Sequence, residues 1–526
     1  MGITATLVRT RPIQAAIRTA AALRAEQFLA RDPLASQRRI FCDLVRQARD
    51  TRFGRDHGLH DISRMPVREA IACFQRWVPI RTYQAFWDEY FQAGLSIGPE
   101  GGKRLRLEDA TWPGQVRMFC ETSGTTAPTK FIPFSEQMFA ENRRAALDMI
   151  ACYLAATPAS RIAGGKILYM SGSTELTDMG DGICSGDMSA ITLRHAPGYL
   201  TPFVEPKPGV SALPWEEKVQ AMARLLLADP TIRVISGVPP WILLLFRRCV
   251  ELGQGPLNEL LPGLELIIHG GTSIKPYWQE FGALFGDAMP HFLELLPSSE
   301  AFMAFQRAGE ERMRLTPYYG AFFEFVRFED LDENGRPEPY AETVTLEEVE
   351  VGQRYAVILS TCSGLWRYHI GDTIRFTSAS PHFIEFTGRD RFLDKLEEKV
   401  TQAEVERAVS NLNSSGEWRV REFMVGADVA ARRHVWVLAV QGAFRDSVAA
   451  GSLLDTTLRE LNADYATFRV QGRINAPEVL LAPEEAIYDW SKTVRGKLGG
   501  QTKIPHIDPT QDSSMIASLR EFAVRQ

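Results

Sequence analysis

Five short apolar runs, at residues 167–170, 232–235, 264–268, 292–296 and 356–359, mostly end in glycine or serine, and helical stretches separate several of them. Few architectures accept that pattern. Strands buried on both faces and joined by crossover helices make a sheet whose loops at the strand carboxyl ends are free to carry function. The predicted class is α/β, and 526 residues exceed what one hydrophobic core organises, so two or three domains are expected.

Local signals place helices around this sheet. Asp32-Pro33 is a helix start, with Phe41, Leu44 and Ala48 at helical spacing before Gly54. Residues 78–83 read as an extended lead-in to a helix bearing Phe86, Trp87, Tyr90 and Phe91, and Ser135 caps another bearing Met138, Ala145, Met149 and Tyr153. A break is expected at the polar segment 386–391. Beyond it, Thr401-Gln402-Ala403-Glu404 forms a capping box ahead of Val405, Ala408, Val409 and Leu412, and residues 435–440 read as a strand. The expected division is a large domain over 1–388 and a small, mobile α+β domain over 389–526.

Composition excludes several function classes. At 45% hydrophobic and 24% charged residues with a net charge of -6, the chain reads as a soluble globular protein and lacks the basic excess of a nucleic-acid binder. Cys42, Cys73, Cys120, Cys152, Cys184, Cys249 and Cys362 show no Cys-x-x-Cys or Cys/His spacing, which predicts reduced thiols, a cytoplasmic setting and no structural zinc. No run approaches a membrane span, and residues 241–246 read as a buried helix ending at Arg247-Arg248. Arg9, Arg11, Arg18 and Arg24 against Glu26 superficially suggest a transit peptide, yet no small-residue cleavage signal follows, so an N-terminal helix is expected.

The chemistry concentrates in Glu121-Thr122-Ser123-Gly124-Thr125-Thr126-Ala127-Pro128-Thr129-Lys130, between strand-like residues 116–119 and 131–134. Hydroxyls, a glycine and a lysine at a hairpin tip suit phosphate oxygens, and a plain Ser/Thr turn is the bland alternative. A Walker loop fits poorly, because there is no second glycine and a strand follows instead of a helix. Three further segments join it: Leu296-Pro297-Ser298-Ser299-Glu300, Tyr368-His369-Ile370-Gly371-Asp372, and the Gly/Lys segment 497–503.

In order and separation these match an adenylate-forming enzyme. More narrowly, the chain resembles the auxin-responsive Gretchen Hagen family of acyl acid amido synthetases. The resemblance spans Asp50-Thr51-Arg52-Phe53-Gly54-Arg55, Val78-Pro79-Ile80-Arg81-Thr82-Tyr83, Ser123-Gly124-Thr125-Thr126, Gly320-Ala321-Phe322-Phe323-Glu324-Phe325, Gly364-Leu365-Trp366-Arg367-Tyr368 into Gly371-Asp372, and Gly499-Gly500-Gln501-Thr502-Lys503. It implies a large mixed N-terminal domain of adenylate-forming type with a smaller C-terminal one. It also implies adenylation of a small carboxylic acid by ATP, pyrophosphate release, and transfer to an amine acceptor such as an amino acid.

The same resemblance assigns roles. Ser123, Gly124, Thr125 and Thr126 contact phosphates with Lys130 as helper, and Thr126, Glu300 and Lys503 are the catalytic candidates. Glu300 holds Mg²⁺, a hard cation suited to carboxylate and phosphate oxygens. Asp372 accepts from the ribose hydroxyls, Gly270, Gly271 and Thr272 line the adenine side, Ser299 neighbours the nucleotide, and Tyr368 packs beside it. Lys503 reaches over from the small domain, while Lys492, Arg495 and Lys497 read as solvated basic residues. The chain departs from the pattern at Leu296, where an aromatic usually stacks on adenine, at the stiffer Ala127-Pro128, and at Glu397, where glycine is common. A thiol-accepting acyl-CoA or carrier-protein ligase and a silent ligand-binding relative are the rival readings. Trp241, Tyr169, Met170 and Phe302 are conceivable acyl-pocket residues and equally good core.

Overall fold

The computed structural model describes residues 8–97, 103–122, 130–170, 176–195, 198–332, 335–389, 392–442, 446–495, 504–510 and 512–524. Four of the five apolar runs lie side by side as parallel strands: Lys166–Tyr169, Ile232–Gly237, Leu266–Gly270 and His291–Pro297, with Val204–Glu205 at the edge. Helices Trp215–Ala228, Pro239–Gly253 and Trp278–Phe285 make the crossovers. Alternate residues face opposite ways. Ile235 and Ile267 join the core beneath these helices, whereas Val234, Leu266, Ile268 and Leu293 join a second core with Phe28, Tyr153 and Tyr319. Burial on both faces is why the runs read as continuously apolar.

From Pro297 the direction alternates. Strands Phe302–Gln306, Met313–Leu315, His382–Arg389, Tyr368–Ala379, Arg354–Thr361, Ala321–Arg327 and Val344–Thr345 continue the same sheet antiparallel, giving twelve strands among the described residues. The run at 356–359 therefore belongs to this antiparallel half and not to the crossover series. Only residues 362–367 separate its strand from the next, too few for a parallel crossover.

The local helix signals resolve as hydrogen bonds. Asp32 accepts from the amides of Leu34 and Ala35 at 2.9 and 3.1 Å, Ser135 accepts from Met138 at 3.0 Å, and the Thr401/Glu404 capping box is closed in both directions. Each such cap is worth roughly 1 kcal/mol. The aromatic helix after Thr82 is instead split into an α-helical turn, Tyr83–Phe86, and a π-helical turn, Trp87–Phe91. The N-terminal helix Arg11–Leu29 packs on Glu136–Ala156, where Arg24 and Arg31 converge on the fully buried Asp148 at 2.6 and 2.7 Å. No helix among the described residues is long and apolar enough to cross a membrane.

Residues 386–389, expected at a break, complete the strand His382–Arg389, with Asp372 opposite Arg389. After it, strands Val420–Asp428, Arg433–Val440 and Glu478–Pro483 form a separate three-stranded sheet. One face, with Phe423, Val425, Trp436 and Leu438, is covered by helices Gln402–Ser414 and Ser447–Leu461. The other, with Met424, Val435, Val437 and Ala439, shares a core with Trp241, Leu245, Phe246 and Phe281 from the crossover helices of the large sheet. Burying a side chain such as Phe246 contributes about 1.5–3 kcal/mol. Arg247 reinforces the contact, reaching Glu280 at 2.7 Å and Glu484 at 2.8 Å.

Candidate active site

The strands Met118–Thr122 and Lys130–Phe134 pair antiparallel with Thr122 opposite Lys130, so residues 123–129 connect the two arms of a hairpin. A strand follows the loop, as the argument against a Walker motif required. Ser123, Gly124, Thr125 and Thr126 lie outside the described residues. Lys130 opens the return strand with its ammonium 5.5 Å from the centre of the Tyr83 ring. The Tyr83 hydroxyl accepts the Phe131 amide at 2.8 Å, fixing the hairpin arm from outside the pair.

The strand His291–Pro297 ends in a tight turn. Ser298 Oγ accepts from the amides of Glu300 at 3.2 Å and Ala301 at 3.0 Å, and Ser299 is half-buried between them. The turn holds Glu300 at 8% exposure. Its charge reaches the hairpin arm: the Cys120 thiol is pushed well above its ordinary value, first by burial and then by the charges of Glu300 and Asp187. Glu300 and the hairpin are therefore brought together.

Gly270 pairs with Leu295, which sets the following residues, Gly271 and Thr272, beside that same turn. Gly271 has φ +87°, a left-handed backbone that favours glycine. Thr272 is 9% exposed, and its Oγ1 is buried without a hydrogen-bond partner among the described residues. One residue before Gly270, the buried His269 also has an Nδ1 with no partner among the described residues, and burial lowers its pKa to about 4. Orphaned polar atoms are uncommon in protein interiors and point to a ligand or water that completes them.

Asp372 is reached along another path. The segment before Tyr83 bridges to the strand Tyr368–Ala379: Arg81 donates its amide to Arg367 O at 3.0 Å and accepts that of His369 at 2.9 Å. Ala356 then pairs with Thr373 but Ile358 with His369, so residues 370–372 form a bulge opposite Val357. Gly371, at φ +83°, supplies the bend that re-aims Asp372, which is 7% exposed. Tyr368 is 1% exposed and packs 6.2 Å from the Phe86 ring, inside the core. Lys503 lies outside the described residues, as does Lys497. Of the other basic residues near it, Lys492 pairs with Glu216 and Arg495 lies over Trp490.

Sequence reasoning passed over three groups nearby. Glu294 sits beside His269 in register, and its carboxyl is pushed up to about 7 by burial, with Lys275 opposing and Glu385 and Glu406 adding. His506 and Tyr277 are the others. A carboxylate or histidine inside an apolar run was the available signal. The suggested acyl-pocket residues do not form one lining: Trp241 and Met170 belong to the core under the crossover helices, and Phe302 to the core on the opposite face with Phe305 and Tyr319. Tyr169 closes its strand half-buried.

The mixed sheet with an attached small α+β sheet has the fold of the solved GH3.15 acyl acid amido synthetase, which superposes with a TM-score of 0.72 over 94% of each chain at 16% identity. Models of the GH3 family N-terminal, central and C-terminal domains match residues 23–247, 315–389 and 383–511, and the chain belongs to that family. Among curated relatives, indole-3-acetic acid-amido synthetase GH3.8 of Oryza sativa subsp. indica is 29% identical over 317 residues, 54% of this chain and 49% of the relative. Jasmonoyl--L-amino acid synthetase JAR4 of Nicotiana attenuata is 28% identical over 226 residues, 40% of this chain and 36% of the relative. The match thus spans about half of these relatives or less.

Proposed function

We propose that the protein is an ATP-dependent acyl acid amido synthetase. The observation that supports this reading lies at the carboxyl ends of adjacent parallel strands: the buried Glu300, whose charge reaches Cys120 in the hairpin arm, beside the Thr272 hydroxyl, which is buried without a hydrogen-bond partner among the described residues. In the first step a carboxylate oxygen bonds to the α-phosphorus of ATP and the bond to the β-phosphate bridging oxygen breaks, releasing pyrophosphate. In the second, an amine nitrogen attacks the acyl carbon, AMP leaves with the electron pair of the broken bond to the acyl carbon, and the nitrogen gives up a proton to solvent.

The residues divide this work. Ser123, Gly124, Thr125, Thr126 and Lys130 hold the phosphates, and Lys503 brings a positive charge to the carboxylate and α-phosphate, where two anions must meet. Asp372 accepts from the ribose hydroxyls, Gly271 and Thr272 meet the adenine edge, Ser299 neighbours the nucleotide, and Tyr368 packs on the nucleotide side from within the core. A buried carboxylate such as Glu300 fits Mg²⁺ shared with phosphates, and the ion would neutralise phosphate charge. Residues 1–388 form the nucleotide and acid unit, and 389–526 the unit that contributes the lysine, in a cytoplasmic enzyme.

The two relatives' names specify different acids, indole-3-acetic and jasmonic, so acid identity rests on pocket side chains and is not carried over. The test is ATP–pyrophosphate exchange with a panel of aromatic and aliphatic acids, then mass spectrometry with amino acids added. Exchange with at least one acid followed by amide is expected. No exchange with any acid, or thioester in place of amide, overturns the reading.

A further inference from the structure

His506 stands three residues after Lys503, inside the small unit, at 2% exposure. Its ring stacks on Phe423 with centroids 4.1 Å apart. Nδ1 lies 2.9 Å from Glu406 Oε1 and Nε2 lies 3.2 Å from Glu422 Oε1. A carboxylate only accepts, so both nitrogens must donate and the ring is an imidazolium. The backbone is held equally: the Val425 amide donates to His506 O and the Asp508 amide to Val425 O, both at 2.8 Å.

Glu422 does not stop at His506. Its other oxygen accepts from the hydroxyls of Tyr488, at 3.3 Å, and Tyr277, at 3.5 Å. Tyr277 belongs to the large unit, five residues after Thr272, and the Pro276 carbonyl beside it accepts from Asn413 of helix Gln402–Ser414 at 3.2 Å. One buried carboxylate therefore joins the chain leaving Thr272 to the chain arriving from Lys503.

We propose that His506 is a positioning residue for the adenylation step: clamped by Glu406 and Glu422 and tied across the units through Tyr277, it sets the origin from which Lys503 reaches the nucleotide. This rests on the lysine role given above. Adenylation needs the lysine and the nucleotide in register, whereas aminolysis of a finished acyl adenylate does not use Lys503, so the two half-reactions should separate.

The experiment compares His506→Gln, Tyr277→Phe and Lys503→Ala. In the first, acid-dependent ATP–pyrophosphate exchange should fall roughly 10- to 100-fold, while aminolysis of chemically prepared acyl-AMP stays within about twofold. Tyr277→Phe, which keeps the clamp and loses one of the ties between units, should show the same split more weakly. Without substrate, amide hydrogen exchange over 504–510 should rise in His506→Gln with the helix Ser447–Leu461 still protected. Equal loss of both half-reactions, a Tyr277→Phe variant with no split, or unchanged exchange over 504–510 overturns the proposal. Normal adenylation in Lys503→Ala would instead remove the lysine role itself, a different failure.

Discussion

Arg367 and His506 are both buried cations wedged between segments far apart in sequence, yet they hold the molecule in different ways. Arg367 is fully buried, 3.2 Å from the equally hidden Glu324, and its remaining donors reach Gln75 O at 2.6 Å, Val78 O at 2.7 Å and Thr343 Oγ1 at 2.9 Å. It ties the lead-in segment to the strand that carries Asp372. An arginine keeps its proton at any pH a protein meets, so this hold is unconditional. His506 is gripped by carboxylates alone, at the seam between two units, and its hold lasts only while the ring is protonated. The frame around the Asp372 strand is permanent, and the contact at the seam is adjustable.

Removing the permanent hold should have the largest effect. Arg367→Met leaves Glu324 buried and uncompensated, and should lower unfolding stability by about 3–5 kcal/mol in urea titrations. The loss should be equal at pH 6 and pH 9. A loss confined to one pH would erase the distinction between the two sites.

The adjustable hold should show a pH window. Burial alone would strip the His506 proton, but its hydrogen bonds to Glu406 and Glu422 and their charges outweigh burial and push its pKa up from 6.5 to about 9. The folded state binds the proton more tightly than the unfolded chain, so this stabilisation is complete below pH 6.5 and lost as pH rises through 9. Thermal melts from pH 6 to 9.5 should fall in the wild type and flatten in His506→Gln. Parallel curves would contradict the charged clamp.

These two sites also mark how far the chain could be read unaided. Caps at Asp32, Ser135 and Thr401 were legible because their partners lie within three residues. The parallel strands were legible because burial on both faces writes unbroken apolar runs, and the hairpin around 123–129 because its arms are contiguous. The antiparallel placement of 354–361 was not, since a single strand carries no mark of its neighbour's direction. Nor were the clamps: Arg367 and Glu324 stand 43 residues apart, and His506 stands 84 and 100 residues from its two glutamates. Motifs that signal the family partly serve as scaffold. Thr51 caps Gly54, and Phe53 stacks on Trp366 at 5.5 Å within the core.

Glu294 offers a smaller effect of the same kind in a lower window. Its carboxyl is raised from 4.5 to about 7, so the fold favours the neutral form and stability falls as pH climbs from 4.5 through 7. Glu294→Gln should remove that decline and raise the melting temperature at pH 8 by a few degrees. If the decline persists, burial is not what holds the proton there.

The smallest effect on stability, and the sharpest on the strand-end reading, belongs to Thr272. Its hydroxyl is buried with no partner among the described residues, so Thr272→Val removes an unsatisfied group while keeping the shape, and the free protein should melt within about a degree of wild type or slightly higher. If that hydroxyl meets the adenine edge, calorimetric affinity for ATP should drop roughly 3- to 10-fold, the measure of one lost hydrogen bond. Arg367→Met disturbs binding only through the frame, and its surviving folded fraction should bind ATP with near-normal affinity. Undiminished affinity in Thr272→Val would mean the nucleotide lies elsewhere, and the orphaned hydroxyl would then be completed by water.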